Sequence, residues 1–600
     1  MNPTRPRKID RHNDKTVRPT QIKRWLTSLK DLVSGESFAA PNGEIHAALQ
    51  VRFDDLGRPG AADPRRKTVA VLGGGSVGVS FLHQLIQQMS QRAVKPAPTV
   101  LLFEPRARPG AGQAYEDDLA CNLLNTRADT MSPVFGDPLN FLTWLTDNQD
   151  SWRRDFPDVR LAPEEFLPRP LFGRYLEAVY REAIARGAAQ GVSVTHVRES
   201  VTDLASAGTR MRLQTTTGRA FGADIVVLAT GNMPSVAFEH LQEAPGYFNS
   251  PYPGTMLASS IGNDAPVAVI GTNLSAIDTA VSLAYGGHTG KIVCVSRNGR
   301  LPSVRGVKNR KHKLQFLTRE GLADLRRCRG RVTLDDLAML LVKEAQSVDG
   351  RTPDMKVILN ADAGVYDYLS SEIAEAATTC RNWQSVVYAT NGIIEHIWHS
   401  LDSMEKQRFV RNFRSLWFSY RVSFPFSNAR TMRELMRRDR VQISGGFRDV
   451  HFDRKAKRFR LSLRDPRSGL ESSLATPFLV NATSASTDVT SCSLPIVRSL
   501  LKSGLAVADE FGGFQQEFET GRVRDRAGRA TRPIYALGAL ATGTYFWTNA
   551  MDVNTRLASM QANVIAATLA EESASRVDPG PASRHGERGN SSTSTSQISV

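Results

Sequence analysis

The chain has 600 residues, of which 41% are hydrophobic, 23% charged and 8% aromatic, a composition that excludes a fibrous or wholly disordered protein and allows several domains with substantial cores. Lysine and arginine number 76 against 60 aspartates and glutamates, and the resulting +16 invites an anionic partner: nucleic acid, an anionic membrane surface or an anionic cofactor. No run of eighteen uncharged apolar residues occurs, and no apolar stretch follows the basic residues of MNPTRPRKIDRHNDK, so neither a membrane span nor a signal peptide is expected.

In chain order, residues 1–64 read as a basic extension. Its first 35 residues carry nine Lys/Arg against three Asp, and it ends in the Pro/Gly/Arg stretch RPGAADPRRK, which reads as a solvated arm and linker. Thr68–Leu72 (TVAVL) then predicts a strand, GGGSVG a turn, and Val77, Phe81, Leu82, Leu85, Ile86 and Met89 the apolar face of a helix. A second strand, Thr99–Phe103, stops at Glu104. That order is a βαβ unit. Residues 192–231 alternate β-rich runs with turns and close on VVLATG. A second strand, turn and helix start at Val267 (VAVIGTNLSAIDTAVSLAYGG) and lead into KIVCVSRNG. From 305 to 430 the text is basic and amphipathic, predicting a helical insertion. Strand-like pieces return in VQISGG, FRLSL and PFLVNAT. The last thirty residues, from Glu571, hold eight Ser, two Pro and no Phe, Trp or Tyr, and a disordered tail is expected there. Cys121, Cys294, Cys328, Cys380 and Cys492 are far apart. This argues against a disulfide framework, a metal site or a redox dithiol, and for a cytoplasmic protein.

Gly73, Gly75 and Gly78 satisfy GxGxxG after a strand and at the start of a helix. In a dinucleotide site the first Gly permits the tight turn, the second lets the pyrophosphate approach the backbone and the third lets helix and strand pack, while Glu104 is placed for a ribose. The second unit reads Gly271-Thr-Asn273-Leu-Ser275-Ala276, with Asn in place of the middle Gly. Asn tolerates a left-handed backbone better than most residues, which is one way to keep the diphosphate path open. The strand that follows ends Ser296-Arg297, where a site for NAD would carry an acid. A hydroxyl and a guanidinium suit a 2′-phosphate, so NADPH is expected.

The order GGGSVG, Glu104, GAGQAY (110–115), NLLNT (122–126), VVLATG (226–231), IGTNLSAID (270–278) and ALGAL (536–540) resembles the two-dinucleotide-binding flavoproteins. It is similar in particular to bacterial flavin-dependent N-monooxygenases, including the aspartate N-oxidases that form nitrosuccinate. The resemblance spans about 65–570. It implies an α/β fold with two Rossmann-like domains in a glutathione-reductase-like arrangement, carrying a helical insertion. The implied division is FAD-binding 65–264 and 489–570, NADPH-binding 265–304 and 431–488, insertion 305–430 and tail 571–600. It also implies that Gly73, Gly75, Gly78 and Glu104 hold the ADP part of FAD, that Gln113, Asn125, Met131, Gly231 and Gly538 lie toward the flavin, and that Gly271, Asn273, Ser275, Ser296 and Arg297 receive NADPH. Ala539-Leu540 stands where an acid usually follows Gly538.

By the same resemblance, NADPH reduces FAD, the reduced flavin takes up O2 as a C4a-hydroperoxide, and a small amine, expected to be an amino acid, attacks its distal oxygen. The hard chemistry belongs to the cofactor, so no metal and no particular catalytic side chain is assigned. Arg305, Lys308 and Arg421 are candidates to hold the carboxylate, with Asn549 beside the aromatic run Tyr545-Phe546-Trp547. Two other readings stay open: an FAD-dependent NAD(P)H reductase or dehydrogenase without oxygen insertion, and a non-catalytic flavoprotein whose basic arm binds nucleic acid. No nucleic-acid-binding signature accompanies the charge, so nucleic acid is not the expected partner. The oligomeric state is open.

Overall fold

The computed structural model describes residues 66–350, 358, 363–466 and 468–574. The basic extension expected at 1–64 lies outside them, as does the tail from 575 onward. The first unit is a five-stranded parallel sheet. Its strands are β1 (Thr68–Leu72), β2 (Thr99–Phe103), β3 (Ser193–Val197), β7 (Ile225–Leu228) and β16 (Ile534–Ala536), in the order β16-β7-β1-β2-β3. Strands β4 (Val201–Ala207), β5 (Arg210–Thr215) and β6 (Ala220–Ala223) form an antiparallel meander between β3 and β7. Val69, Val71 and Val227 are fully buried, as near-continuous apolar strands in a sheet covered on both faces must be. Helix α1 (Ser76–Gln91) crosses from β1 to β2, α2 (Arg169–Ala189) leads into β3, α12 (Pro495–Ser503) packs on β4, and the C-terminal helix α13 (Met551–Ala574) packs along α1.

The second unit repeats the plan with β8 (Tyr247–Phe248), β9 (Val267–Ile270), β10 (Ile292–Val295), β11 (Val441–Ser444) and β15 (Phe478–Asn481) in the order β11-β10-β9-β15-β8, all parallel. Helix α3 (Leu274–Tyr285) connects β9 to β10. Because β8 pairs with β15, this sheet begins upstream of residue 265. Strands β12 (Phe447–Asp453), β13 (Arg458–Arg464) and β14 (Glu471–Thr476) form a second antiparallel meander.

Between β10 and β11 the chain runs through helices α4 (Arg319–Arg329), α5 (Leu334–Asp349), α6 (Val365–Thr378), α7 (Asn382–Ala389), α8 (Ile394–Ser400), α9 (Ser403–Asn412), α10 (Arg414–Arg421) and α11 (Phe426–Arg437). The starts are chemically marked. Thr333 and Asp336 form a reciprocal capping box on α5, Thr318 caps α4 and Asp402 caps α9, each satisfying amides that the first turn leaves over. This run is fastened to the first unit by buried Glu395, which accepts from Arg556 of α13 at 2.7 and 2.6 Å, and by Trp398, whose Nε1 donates to the Gly543 carbonyl at 2.7 Å.

The tail expectation is corrected at its start. Helix α13 continues to Ala574 rather than stopping before Glu571, since Glu571, Glu572 and Ala574 favour helix and Glu572 pairs with Lys67 at 2.8 Å. No helix among the described residues is long and apolar enough to cross a membrane.

The two units are joined by a buried ionic contact. Arg169, at the start of α2, donates to Asp278 of α3 at 2.5 Å, and Tyr252 donates to the same carboxylate oxygen at 2.7 Å. Asp278 is nearly closed to solvent, with 7% of its side chain exposed. Removing one partner of such a pair strands the other charge. Arg169→Met is therefore expected to destabilise the protein by about 3–5 kcal/mol, read as a lowered midpoint in urea. The double variant Arg169→Met/Asp278→Leu should recover part of the loss, and additive losses would speak against the pairing.

Candidate active site

In the first glycine loop, Gly73 has φ +109° and a Cβ there would stand 2.1 Å from the Ala229 carbonyl oxygen; a Cβ on Gly78 would stand 2.0 Å from the Gly73 oxygen. The fold itself forbids side chains at both. Gly75 is different. Its backbone is extended (φ −76°, ψ −168°), a conformation open to any residue, and a Cβ would meet nothing nearer than the Gly112 Cα at 3.5 Å. The space is kept clear at the mouth of α1, where Gly75 provides no side-chain cap and the first turn holds no acid. Free amides and the positive end of a helix dipole then face a gap, which is what a pyrophosphate needs.

Glu104 lies at the end of β2, as the sequence requires, and it also holds the loop. Its carboxylate accepts from the Gly74 and Arg106 amides, each at 3.0 Å. The GAGQAY loop closes the other side, its Gly110 amide donating to the Gly74 carbonyl at 2.7 Å. Gln113 stands exposed on that loop. Gly538 (φ +65°) faces the start of α1, with Val77 Cγ2 3.9 Å from where its Cβ would be, and Gly231 (φ +78°) has open space beside it.

The second loop has the same build. Gly271 has φ +131°, and a Cβ there would stand 2.6 Å from the Ala482 carbonyl oxygen. Asn273 caps α3 at φ −90°, ψ −165°, essentially the backbone of Gly75, so the left-handed conformation that Asn permits is not used. Its side chain is exposed and makes no cap bond; the departure from glycine adds bulk at the loop without bending it. Ser275 lies in the first turn of α3, half-buried. Ser296 Oγ accepts from the Gly299 amide at 2.9 Å and contacts Thr272 Oγ1 at 3.0 Å, shaping the turn after β10, while Arg297 is exposed.

A cavity of about 310 Å³ lies where the helical run meets the first unit, within the size range of small-molecule sites. Asn125, Met131, Arg305, Arg421 and Asn549, all singled out in the sequence, line it together. So do Arg127, Arg310 and Lys311, giving five Lys/Arg side chains against the carboxylates of Asp129 and Asp552. Tyr388 lines it as well. The Arg305 guanidinium lies 3.3 Å from the ring centroid and that of Arg421 4.1 Å from it.

Both arginines are closed to solvent, at 9% and 5% exposure, and neither forms an ion pair among the described residues. Arg305 donates to the Asn125 carbonyl at 3.2 Å, and its Nε is buried without a partner. Arg421 donates to Asn391 Oδ1, and Asn391 in turn donates to Asp552 at 2.9 Å. Burial, with Arg421 and Arg127 nearby, pushes Arg305 down to about 10, which still leaves it charged at neutral pH. Burial raises the Tyr388 phenol, but Arg305 and Arg421 together outweigh it and its pKa falls below the usual tyrosine range. Two buried like charges sharing one ring are costly unless an anion joins them.

Local structure fixes both arginines. An isolated parallel bridge, Val304 to Phe424, ties the two segments: the Arg305 amide donates to the Phe424 carbonyl at 3.0 Å and the Phe424 amide to the Ser303 carbonyl at 3.1 Å. Beneath it, buried Glu372 accepts from the Val304 amide at 2.8 Å, and Gln384 Oε1 from the Gly306 amide at 3.0 Å. The Ser423 amide donates to the Tyr388 hydroxyl at 3.2 Å, setting the ring between the segments.

Lys308 is corrected: three residues past Arg305 the chain has turned outward, and Lys308 Nζ donates to the Thr378 carbonyl at 3.2 Å on the surface, outside the cavity. Of the aromatic run, Tyr545 is core, fully buried, whereas Trp547 lines the cavity. Sequence reasoning missed Tyr388 and Arg127. Arg127 follows NLLNT directly and could have been found by extending that motif; nothing around Tyr388 marks it.

Residues 70–233 match the family model described as FAD-NAD(P)-binding. The chain is 28% identical over 240 residues to the nitrosuccinic acid synthase of Aspergillus oryzae, covering 36% of this chain and 35% of that protein. It is 26% identical over 253 residues to an L-aspartate N-monooxygenase (nitrosuccinate-forming) of Streptomyces cremeus, covering 36% and 37%. The matched stretch thus spans about a third of the length of these curated relatives. In structure the chain is similar to L-lysine 6-monooxygenase from Pseudomonas syringae, with a TM-score of 0.51 and 15% identity, over 84% of this chain and 99% of that one. Residues 70–233 are therefore an FAD-NAD(P)-binding domain, in a chain that shares the fold of that monooxygenase.

Proposed function

We propose that the protein is an FAD- and NADPH-dependent monooxygenase that oxidises the amine nitrogen of a small acidic amino acid, with aspartate the first substrate to test. The observation that carries this reading is the Arg305–Tyr388–Arg421 stack, two buried cations with no ion pair among the described residues, in a cavity beside the nucleotide-binding unit. In the first hydroxylation one atom of O2 enters a new N–O bond and the other leaves as water, with NADPH and a proton supplying two electrons and both hydrogens of that water. Bound FAD supplies the electron transfer and the oxygen activation.

This chain's residues bind and orient. In this reading Gly73, Gly75, Gly78 and Glu104 hold the ADP part of FAD, with its flavin toward Asn125, Met131 and Gly538. Arg305 and Arg421 receive carboxylate oxygens, and Asn549 and Trp547 lie beside the amine. The positive field of the cavity also disfavours an ammonium ion, so it favours the neutral amine, the form able to form the N–O bond. Burial of Met131 and Trp547 keeps water from the reacting atoms.

NADPH lies in this reading on Gly271, Asn273 and Ser275, with Ser296 and Arg297 toward the 2′-phosphate. Arg297→Glu is expected to raise KM for NADPH by about tenfold or more, the value of a lost charge-assisted contact, while changing that for NADH little. Equal changes with both would remove the 2′-phosphate assignment.

The decisive experiment supplies the FAD-loaded protein with NADPH, O2 and 15N-labelled aspartate. A 15N–O product with matching NADPH consumption is the expected result. NADPH consumption balanced by hydrogen peroxide, with no N-oxygenated product for any amino acid tried, would favour the reductase reading.

A further inference from the structure

A further cavity, of about 240 Å³, lies inside the helical run. Leu337 and Ala338 of α5, Val386 of α7, Ile394 and Trp398 of α8 and Phe413 between α9 and α10 build its wall. The wall offers an incoming molecule almost no polar group. Trp398 Nε1 is already donated to Gly543 and Thr390 Oγ1 donates to the Val387 carbonyl at 2.6 Å, while Trp417 Nε1 is buried without a partner among the described residues. Apolar cavities of roughly 150 Å³ stay dry and take up benzene or xenon, so this one has room for small apolar molecules.

The chamber and the arginine cavity share Arg421 and meet across a strained turn. Phe546 sits at φ +65°, ψ −63°, and the Trp547 amide donates to the Tyr545 carbonyl at 2.8 Å, the positive-φ γ-turn that bulky residues avoid. The two consecutive rings lie 5.7 Å apart, centroid to centroid, yet line different cavities. Phe546 lines the chamber, stacked 4.7 Å from Trp398, whereas Trp547 lines the cavity, 5.1 Å from the Arg421 guanidinium.

We propose that this chamber is the protein's holding site for dioxygen, which passes Phe546 and Arg421 to reach the arginine cavity. The proposal rests on the monooxygenase reading, in which O2 is consumed. An apolar gas partitions poorly into a cavity lined by five cations and well into an adjoining apolar one.

The test uses the full-length FAD-loaded protein. Xenon titrated under pressure and followed by 129Xe NMR should fill one saturable site, and that site should disappear in both Ala338→Phe and Val386→Phe, which fill the chamber from different walls. After anaerobic reduction by NADPH, the second-order rate constant for flavin reoxidation by O2 should fall by about tenfold in both variants, a change readable as loss of a delivery step, while the rate of reduction by NADPH stays unchanged. Xenon pressure should also slow reoxidation of the unaltered protein, so the outcome does not depend on either variant folding. Absence of the xenon site, or reoxidation within twofold of normal once that site is lost, would overturn the proposal. So would a raised KM for the amine substrate with an unchanged O2 step, which would make the chamber a pocket for the substrate's side chain. If the protein makes no N–O product yet the O2 step slows, the monooxygenase reading fails and the chamber assignment stands.

Discussion

Replacing Gly75 with Val is expected to give a folded protein that purifies without FAD. The reason lies in the contrast between three glycines of one loop. Gly73 and Gly78 are held by the fold, since side chains there would run into carbonyl oxygens at 2.1 and 2.0 Å, whereas a Cβ on Gly75 would find 3.5 Å of clearance. The extended backbone at Gly75 suits a β-branched residue, so valine costs the apoprotein little. What it removes is the approach of a diphosphate to the free amides at the start of α1. The expected loss is at least about 100-fold in FAD affinity, or about 3 kcal/mol, measured by flavin fluorescence titration with circular dichroism as the check on folding. A mutant that retains flavin stoichiometrically would refute this placement of the pyrophosphate.

Arg305→Met is expected to raise KM for an acidic amino acid by about 100-fold, the cost of losing a charge-assisted, desolvated contact, with a smaller effect on kcat and none on FAD content. Arg305→Lys should not restore it, because a compact ammonium cannot lie flat on the Tyr388 ring and donate in two directions as a guanidinium does. A second readout tests the stack itself. Arg305 and Arg421 hold the Tyr388 phenol down against the upward push of burial, so removing one cation should move its ultraviolet titration to higher pH. An unchanged KM together with a shifted titration would leave the stack intact but take substrate recognition away from it.

Much of the fold is legible in the sequence because its signals are local. An apolar strand, glycines at fixed offsets, helical spacing of apolar residues and a second strand occur twice, and both form parallel units with matching loop geometry. Capping residues likewise mark the helical run. The candidate site is less legible, since its members come from stretches far apart in the chain: Arg127 after NLLNT, Arg305 after β10, Tyr388 at the end of α7, Arg421 at the end of α10 and Asn549 just before α13. Arg305 and Lys308 are equally good cations on paper. The Val304–Phe424 bridge and the Glu372 and Gln384 contacts decide between them by turning one inward, after which the chain leaves the other at the surface.

The sequence by itself therefore determined the two βαβ units, the order of their parts and the presence of a helical insertion, because strand and helix periods and turn chemistry act over a few residues. Only the tertiary structure decided which cations share a ring, that Asn273 adopts the same extended backbone as Gly75, and that Phe546 and Trp547 face different chambers. Those outcomes depend on contacts between segments far apart in the chain, where packing and hydrogen bonding rather than local propensity select the geometry.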